Sequence, residues 1–237
     1  MALVMSLVTL GAAARVMASQ HLFEGYKKII VLDPGHGGQD SGAKGADDTL
    51  EKKVALELAR QIAAELEPEF KVSLTRADDF HVQLDTRTAI ANHLRANLFI
   101  SIHTGASFTH STAGTAVYYY QNFSNVDTGD KKAADRTHQK SNPPILWKNI
   151  QIQYQAQSQA LARTIAGYLD NIGPVQCRIE GAPLAVLQGA AMPAVLIEIG
   201  HITNPAEEKK LRDHRFLLEL AEQIRRGIED FLAQDKK

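Results

Sequence analysis

Short apolar runs alternate along this chain with longer stretches whose apolar positions recur every three or four residues, a pattern that predicts an α/β layer fold. Lys28 to Leu32 (KIIVL) predicts a strand that stops at Asp33-Pro34-Gly35. From Thr49 to Leu66, the positions Val54, Leu58, Ile62 and Leu66 predict a helix burying one stripe. Lys71 to Thr75 predicts a second strand and Leu84 to Ala96 a second helix, followed directly by a strand at Leu98 to Ile102 (LFISI). The β-branched and aromatic residues from Thr115 to Tyr120 predict another strand. A helix is expected over Gln155 to Asp170, short strands over Leu184 to Leu187 and Ala194 to Ile199, and a closing helix over Phe216 to Leu232. Between them, the polar stretch from Asn122 to Asn149 reads as a long surface excursion. There is no internal repeat or low-complexity linker, so a single domain is expected.

The first twenty residues break this pattern. Met1 to Ala14 is apolar, as long as the core of a secretory signal and too short to span a bilayer comfortably. Val16-Met17-Ala18 offers small residues of the kind a signal peptidase reads, yet no Lys or Arg precedes the apolar run. A signal or its remnant over residues 1–20 is the expectation, with a packed helix or a truncated upstream segment as alternatives. The domain then occupies residues 21–237, with no stable membrane span.

Composition excludes some partners. At 237 residues with 44% hydrophobic and 22% charged content, the chain can bury one sizeable core. A net charge of −1 carries no electrostatic footprint for nucleic acid. The lone cysteine, Cys177, permits no intramolecular disulfide, and with no His close in sequence it reads as a half-buried small residue.

Three of the predicted strands run into ionisable residues among small neighbours: VLDPGHGG, FISIHTG and VLIEIGH. In an open α/β sheet, ligands gather beyond the carboxyl ends of the strands, which would bring His36, His103 and Glu198 into one crevice. The His36 loop fails as a phosphate cradle. A dinucleotide loop needs glycine where Asp40 stands, and a P-loop needs lysine directly after Gly42, whereas Lys44 comes one residue late. Glu51 has two readings: the far partner of an Asp48-led capping box, or a metal ligand. His103 can equally be a satisfied core histidine. Glu198, between Ile197 and Ile199, would need a cation or carry a raised pKa if unpaired. Taken together, two imidazoles and a carboxylate form a known catalytic zinc set with a fourth position open for water, and a second carboxylate can move the water's proton.

The segments VLDPGHGGQDSGAKG, TLEKKVALELA, LTRADDFHVQLDTRTAIANHLRANLFISIHTGAS and MPAVLIEIGHITNPAEEKKL, in that order between about Lys28 and Phe231, resemble the zinc-dependent N-acetylmuramoyl-L-alanine amidases of the Amidase_3 type. The resemblance implies one zinc ion on His36, Glu51 and His103, with Glu198 as the catalytic carboxylate. It implies a mixed, mostly parallel sheet with helices on both faces. It also implies hydrolysis, outside the cytoplasm, of the amide joining N-acetylmuramic acid to L-alanine of the peptidoglycan stem. Asp33 and Arg87 match family positions and are expected beside the site or in a structural role.

Two departures stand out. Thr104-Gly105 follows His103 where the family usually has Ala-Asn, and His201 stands where an aromatic is usual. His201 is open to three readings: partner of a ligand, substrate contact, or plain surface-loop residue. Some family members carry an inserted helix that plugs the site. The stretch 122–149 lacks an apolar stripe, so a loop bordering the substrate groove is expected instead. No wall-binding repeat occurs, so targeting falls to the domain itself, to removed sequence or to a partner protein such as an activator. The competing functions are a zinc peptidase or amidohydrolase acting on free peptides, and a catalytically silent wall-binding protein.

Overall fold

The computed structural model describes residues 27–122 and 147–234. The apolar segment 1–20 and residues 123–146 of the polar excursion lie outside that range, and so do the readings made for them. Among the described residues, β1 (Ile29–Pro34), β2 (Lys71–Leu74), β3 (Leu98–Gly105), β4 (Ala116–Tyr120), β5 (Arg178–Ala182) and β6 (Ala194–His201) form one sheet in the order β2-β1-β3-β6-β4-β5. The pairs β1–β2, β1–β3, β3–β6 and β4–β5 are parallel, and β4 runs antiparallel to β6. The sheet is therefore mixed and mostly parallel.

The helices are α1 (Glu51–Leu66), α2 (Leu84–His93), α3 (Gln155–Leu169), α4 (Ala185–Gln188), α5 (Pro205–Leu211) and α6 (His214–Gln234), with a 3-10 helix at Trp147–Tyr154. Strand alternation sends Leu98, Ile100 and Ile102 to one face, where they pack with α1, α3 and α6. Val31, Phe99 and Leu196 point to the other face, against Ala91 of α2 and Val186 and Leu187 of α4. Both faces are covered, which is why the central strands read as continuous apolar runs. None of the described helices is long and apolar enough to cross a membrane.

One expected strand is overturned. Leu184 to Leu187 is not extended; Ala185–Gln188 forms a single helical turn. Four apolar residues are too few to show a period, and a buried turn and a buried strand look alike over that length. The strand lies earlier, at Arg178–Ala182, on the sheet's edge with Arg178, Ile179 and Glu180 exposed. Its solvent-facing charges are what hid it.

Because β1, β3 and β6 are parallel neighbours, their carboxyl ends reach the same sheet edge, and the loop after β1 is pinned there by buried charges. Asp33 accepts from Thr75 Oγ1 at 2.6 Å, Ser101 Oγ at 2.7 Å and Arg87 Nη1 at 2.8 Å, so one carboxylate joins β1, β3, α2 and the end of β2. On the helical side, the buried carboxylate of Glu208 in α5 accepts the backbone N–H groups of Asp47 (3.0 and 3.1 Å) and Thr49 (3.2 Å). It thereby fixes the segment that leads into α1.

Burial alone would push the Glu208 carboxyl up, but the Thr49 hydroxyl and the loop amides outweigh it and hold the group below its ordinary value. A carboxyl lowered by folding adds stability above the ordinary carboxylate range and loses it as pH falls through the folded value. Glu208→Gln should therefore lower unfolding free energy by about 1–3 kcal/mol near neutral pH, because the loop amides would face an amide. The gap from wild type should shrink as pH drops below 4. Thermal melts of both proteins across pH 3–8 check this, and a gap constant with pH would show that the charge is not what holds the loop.

Candidate metal centre

The loop after β1 turns on glycines and on one strained residue. His36 itself has φ 59°, flanked by Gly37 and Gly38 at positive φ. A non-glycine residue in that region is uncommon and is tolerated where the surroundings over-determine it. Here Arg87 donates to the backbone carbonyls of Pro34 and His36, each at 2.9 Å, and Arg76 donates to those of Pro34 (3.0 Å) and Gly35 (2.7 Å). Both guanidinium groups are almost wholly buried. The result aims the His36 ring with its Nδ1 2.9 Å from Asp40 Oδ2. In the tautomer whose Nδ1–H donates to Asp40, Nε2 faces inward as a lone pair.

Glu51 is the first residue of α1, but it does not close a capping box. The N-cap position is Leu50, with no side-chain cap, and Asp48 instead pairs with Lys44 at 2.5 Å. The Glu51 carboxylate, 4% exposed, turns into the crevice. Oε2 accepts the Ala43 N–H at 2.8 Å, while Oε1 accepts the Thr104 N–H at 3.0 Å. Oε1 also lies 3.0 Å from His103 Nδ1 and 3.2 Å from His36 Nε2. Burial by itself would raise this carboxyl, yet the two imidazoles and the Ala43 amide hold it far below the ordinary range. The same carboxylate, together with Asp40, raises His36 against the opposing effect of burial. Both shifts say that positive charge is favoured at this point.

His103, on β3, is the Cα partner of Glu198 on β6, so the register of two central strands puts the imidazole and the second carboxylate side by side. The strand pairing shifts between His103 and Gly105, where Gly105 comes to face His201. Tyr118 on β4 donates its hydroxyl to Glu198 Oε2 at 3.3 Å. Burial and the neighbouring Glu198 charge push Tyr118 up to about 12, so it keeps its proton and serves Glu198 only as a donor. His201 is 4% exposed, which rules out the surface-loop reading. Its Nδ1 lies 3.8 Å from Glu207 Oε2 with no hydrogen bond among the described residues.

The sequence pattern converged His36, His103 and Glu198 on one crevice, and the family resemblance added Glu51. The structure brings His36, Glu51 and His103 together and pairs Glu198 with His103 in register. Asp33 and Arg87, expected beside the site or in a structural role, pair with each other, and Arg87 donates to the loop carbonyls of Pro34 and His36. Sequence reasoning missed Asp40, Arg76, Tyr118 and Glu207. Asp40 left a usable signal, a carboxylate four residues beyond a candidate histidine ligand. Tyr118 left none, since three consecutive tyrosines do not say which one faces the crevice. Cys177 is buried and burial pushes its thiol up, away from thiolate chemistry.

One ligand atom from each of His36, Glu51 and His103 lies within 4.8 Å of the others, so this cluster could hold a metal ion. The fit can be tested on the backbone around it. A Cβ on Gly42, at φ +64°, would stand 2.6 Å from Glu51 Oε2 and 2.6 Å from His36 Cδ2. Only a bare backbone lets the loop close on these side chains. Two nitrogens and one oxygen, oriented by their neighbours, suit a borderline cation with an open fourth position.

The model of the Amidase_3 family, N-acetylmuramoyl-L-alanine amidase, matches residues 30–230. The chain is 34% identical over 224 residues to N-acetylmuramoyl-L-alanine amidase AmiC of Escherichia coli O6:H1, covering 86% of this chain and 53% of that protein. It therefore spans about half the length of this relative. Among solved structures, the catalytic domain of the amidase CwlV from Bacillus (Paenibacillus) polymyxa var. colistinus superposes with a TM-score of 0.70 at 30% identity, covering 87% of this chain and 98% of that one. The CwlD amidase of Clostridioides difficile, solved in complex with the GerS lipoprotein, gives a TM-score of 0.68 at 25% identity, covering 87% of this chain and 99% of that one. With a family model matched across nearly all of the described fold, this chain belongs to the Amidase_3 family of N-acetylmuramoyl-L-alanine amidases.

Proposed function

We propose that this chain is a zinc-dependent amidase that hydrolyses the bond between N-acetylmuramic acid and L-alanine in peptidoglycan. The observation that carries the reading is the convergence of His36, Glu51 and His103 within 4.8 Å, with Glu198 in register beside His103. His36, Glu51 and His103 would hold one zinc ion. A bound zinc ion supplies Lewis acidity, making water nucleophilic near neutral pH and polarising the scissile carbonyl.

The chain's own residues supply the rest. Asp40 fixes the His36 ring through Nδ1, and the amides of Ala43 and Thr104 fix both oxygens of Glu51. Glu198 takes the proton of the attacking water and returns it to the departing nitrogen of L-alanine. Tyr118, which stays protonated, donates to Glu198 and so fixes the orientation of that oxygen. Asp33 and Arg87 act at one remove, by holding the loop that presents His36. Peptidoglycan as the substrate supports a location in the envelope, periplasmic or extracellular. The structural likeness to CwlD, solved in complex with a lipoprotein, supports a protein partner, whose role here would be activation.

Incubation with purified peptidoglycan, with and without a chelator, tests the reading through the products seen by mass spectrometry. Stem peptides beginning with L-alanine should appear, vanish on chelation and return with added zinc. Cleavage inside free peptides instead would make the chain a peptidase, and an intact wall in the presence of the zinc-loaded protein and any activator would leave a binding role.

Glu198→Gln should bind zinc as wild type does while losing at least 100-fold in kcat, the scale of a lost general base. Retained turnover would remove Glu198 from the chemistry. Gly42→Ala, which drives a methyl group into Glu51 and His36, should weaken zinc at least tenfold by calorimetric titration. Unchanged affinity would place the metal elsewhere.

A further inference from the structure

Two side chains of the crevice stand apart from the three metal-ligand candidates, and they lie on one strand. Glu198 and His201 both sit near the carboxyl end of β6, and Gly105 of β3 lies between their tips. A Cβ built on Gly105 would be 2.8 Å from His201 Nε2 and 3.0 Å from Glu198 Oε2. Imidazole and carboxylate thus face each other across a bare stretch of backbone. They make no direct contact, but a single water molecule can bridge such a gap. Any side chain at position 105 would fill that space.

The far side of the ring is equally specific. Glu207, in the first turn of α5, accepts the backbone N–H of His201 at 2.7 Å and that of Gly114 at 3.1 Å. Its carboxylate is thereby fixed, with Oε2 3.8 Å from His201 Nδ1. That nitrogen is buried and has no hydrogen-bond partner among the described residues. A buried polar atom left so is uncommon, and a small tilt of the ring would give it Glu207. Glu207 on α5 faces Nδ1 of His201, Glu198 on its own strand lies across Gly105 from Nε2, and Tyr118 on β4 reaches Glu198.

We propose that His201 is a positioning residue for Glu198: Glu207 holds the Nδ1–H tautomer, and Nε2 orients the Glu198 carboxylate through a bridging water. The bridging water donates one hydrogen to Nε2 and the other to Glu198 Oε2, while Tyr118 donates to that same oxygen from the β4 side. The carboxylate is then clamped from two directions, and its Oε1 is left for the attacking water. A neutral imidazole satisfies this arrangement because one nitrogen must donate and the other accept. The inference rests on the reading of Glu198 as the general base.

The test joins a kinetic and a spectroscopic arm. With zinc loaded, His201→Phe keeps a flat ring and removes both nitrogens. It should lower kcat at least tenfold on peptidoglycan fragments, with KM within twofold and zinc content unchanged. His201→Gln, whose side-chain oxygen can take the place of Nε2 as acceptor, should recover part of that loss. Nitrogen-15 spectra of the histidine rings, assigned by difference against His201→Phe, should show Nδ1 protonated in wild type. Glu207→Gln should weaken that tautomer, and Glu198→Gln should shift the Nε2 resonance.

An unchanged kcat in His201→Phe, or an Nε2–H tautomer in wild type, would overturn the proposal. So would a kcat loss that His201→Gln does not relieve at all. The spectra need no turnover. If the ring couples to Glu207 and Glu198 as described while the wild-type protein leaves peptidoglycan intact, the positioning stands and the assigned reaction falls. If the wild type cleaves but the ring is uncoupled, the reverse holds.

Discussion

A single buried carboxylate, that of Glu51, sets the terms for everything around it. An ionised group so far from solvent costs several kcal/mol unless charge and hydrogen bonds surround it. Here two backbone amides and two imidazole nitrogens do so, drawn from the His36–Lys44 loop and from β3. Those partners come from segments far apart in sequence, so satisfying Glu51 requires the loop, the start of α1 and the end of β3 to meet at one point. The net electrostatic demand is for positive charge. A divalent cation among the same atoms would meet it.

A second tier of polar contacts exists because that meeting point lies at the end of a sheet, where apolar packing runs out. Val31, Phe99 and Leu196 pack on the α2 and α4 face. Two residues further along the same strands, on the same side by alternation, stand Asp33, Ser101 and Glu198. The face thus changes from apolar to polar within one step as it nears the edge. Arg87, held by Asp33, and Arg76 take over there from the hydrophobic core, donating to the loop carbonyls of Pro34 and Gly35. Removing one member of the buried Asp33–Arg87 pair would cost about 3–5 kcal/mol, because the survivor keeps its charge without a partner.

How far the sequence reveals all this depends on which force writes the signal. The strands β1, β3 and β6 are legible because both their faces are buried, and α1 and α6 because one stripe is. The edge strand β5 is not, since an exposed edge needs no apolar run, and the short turn α4 mimics a strand for want of length. In the site, His36, His103 and Glu198 stand out as ionisable residues closing apolar strands. Glu51 was ambiguous for a physical reason: the first turn of a helix suits a carboxylate whether it caps the helix or turns inward. Only Leu50 at the N-cap position, and Asp48 held by Lys44, separate the two readings. Glu207 and Tyr118 left no trace, because their partners are set by tertiary approach across β4, β6 and α5.

The same logic explains why glycine appears where the crevice closes most tightly. A packed interior leaves no room for a methyl group beside a fixed carboxylate; Glu51 is fixed by two backbone amides and Glu198 by the Tyr118 hydroxyl. At Gly42 the constraint serves Glu51 and His36, and the positive φ adds a conformational demand to the steric one. At Gly105 the backbone carries no positive φ, so only the space between Glu198 and His201 calls for a missing side chain. The two glycines divide the crevice into an end that would hold a cation and an end that would move a proton. His103, two residues before Gly105 and paired with Glu198, belongs to both. Its strand therefore sets the separation between the group that would hold the metal and the group that would move the proton.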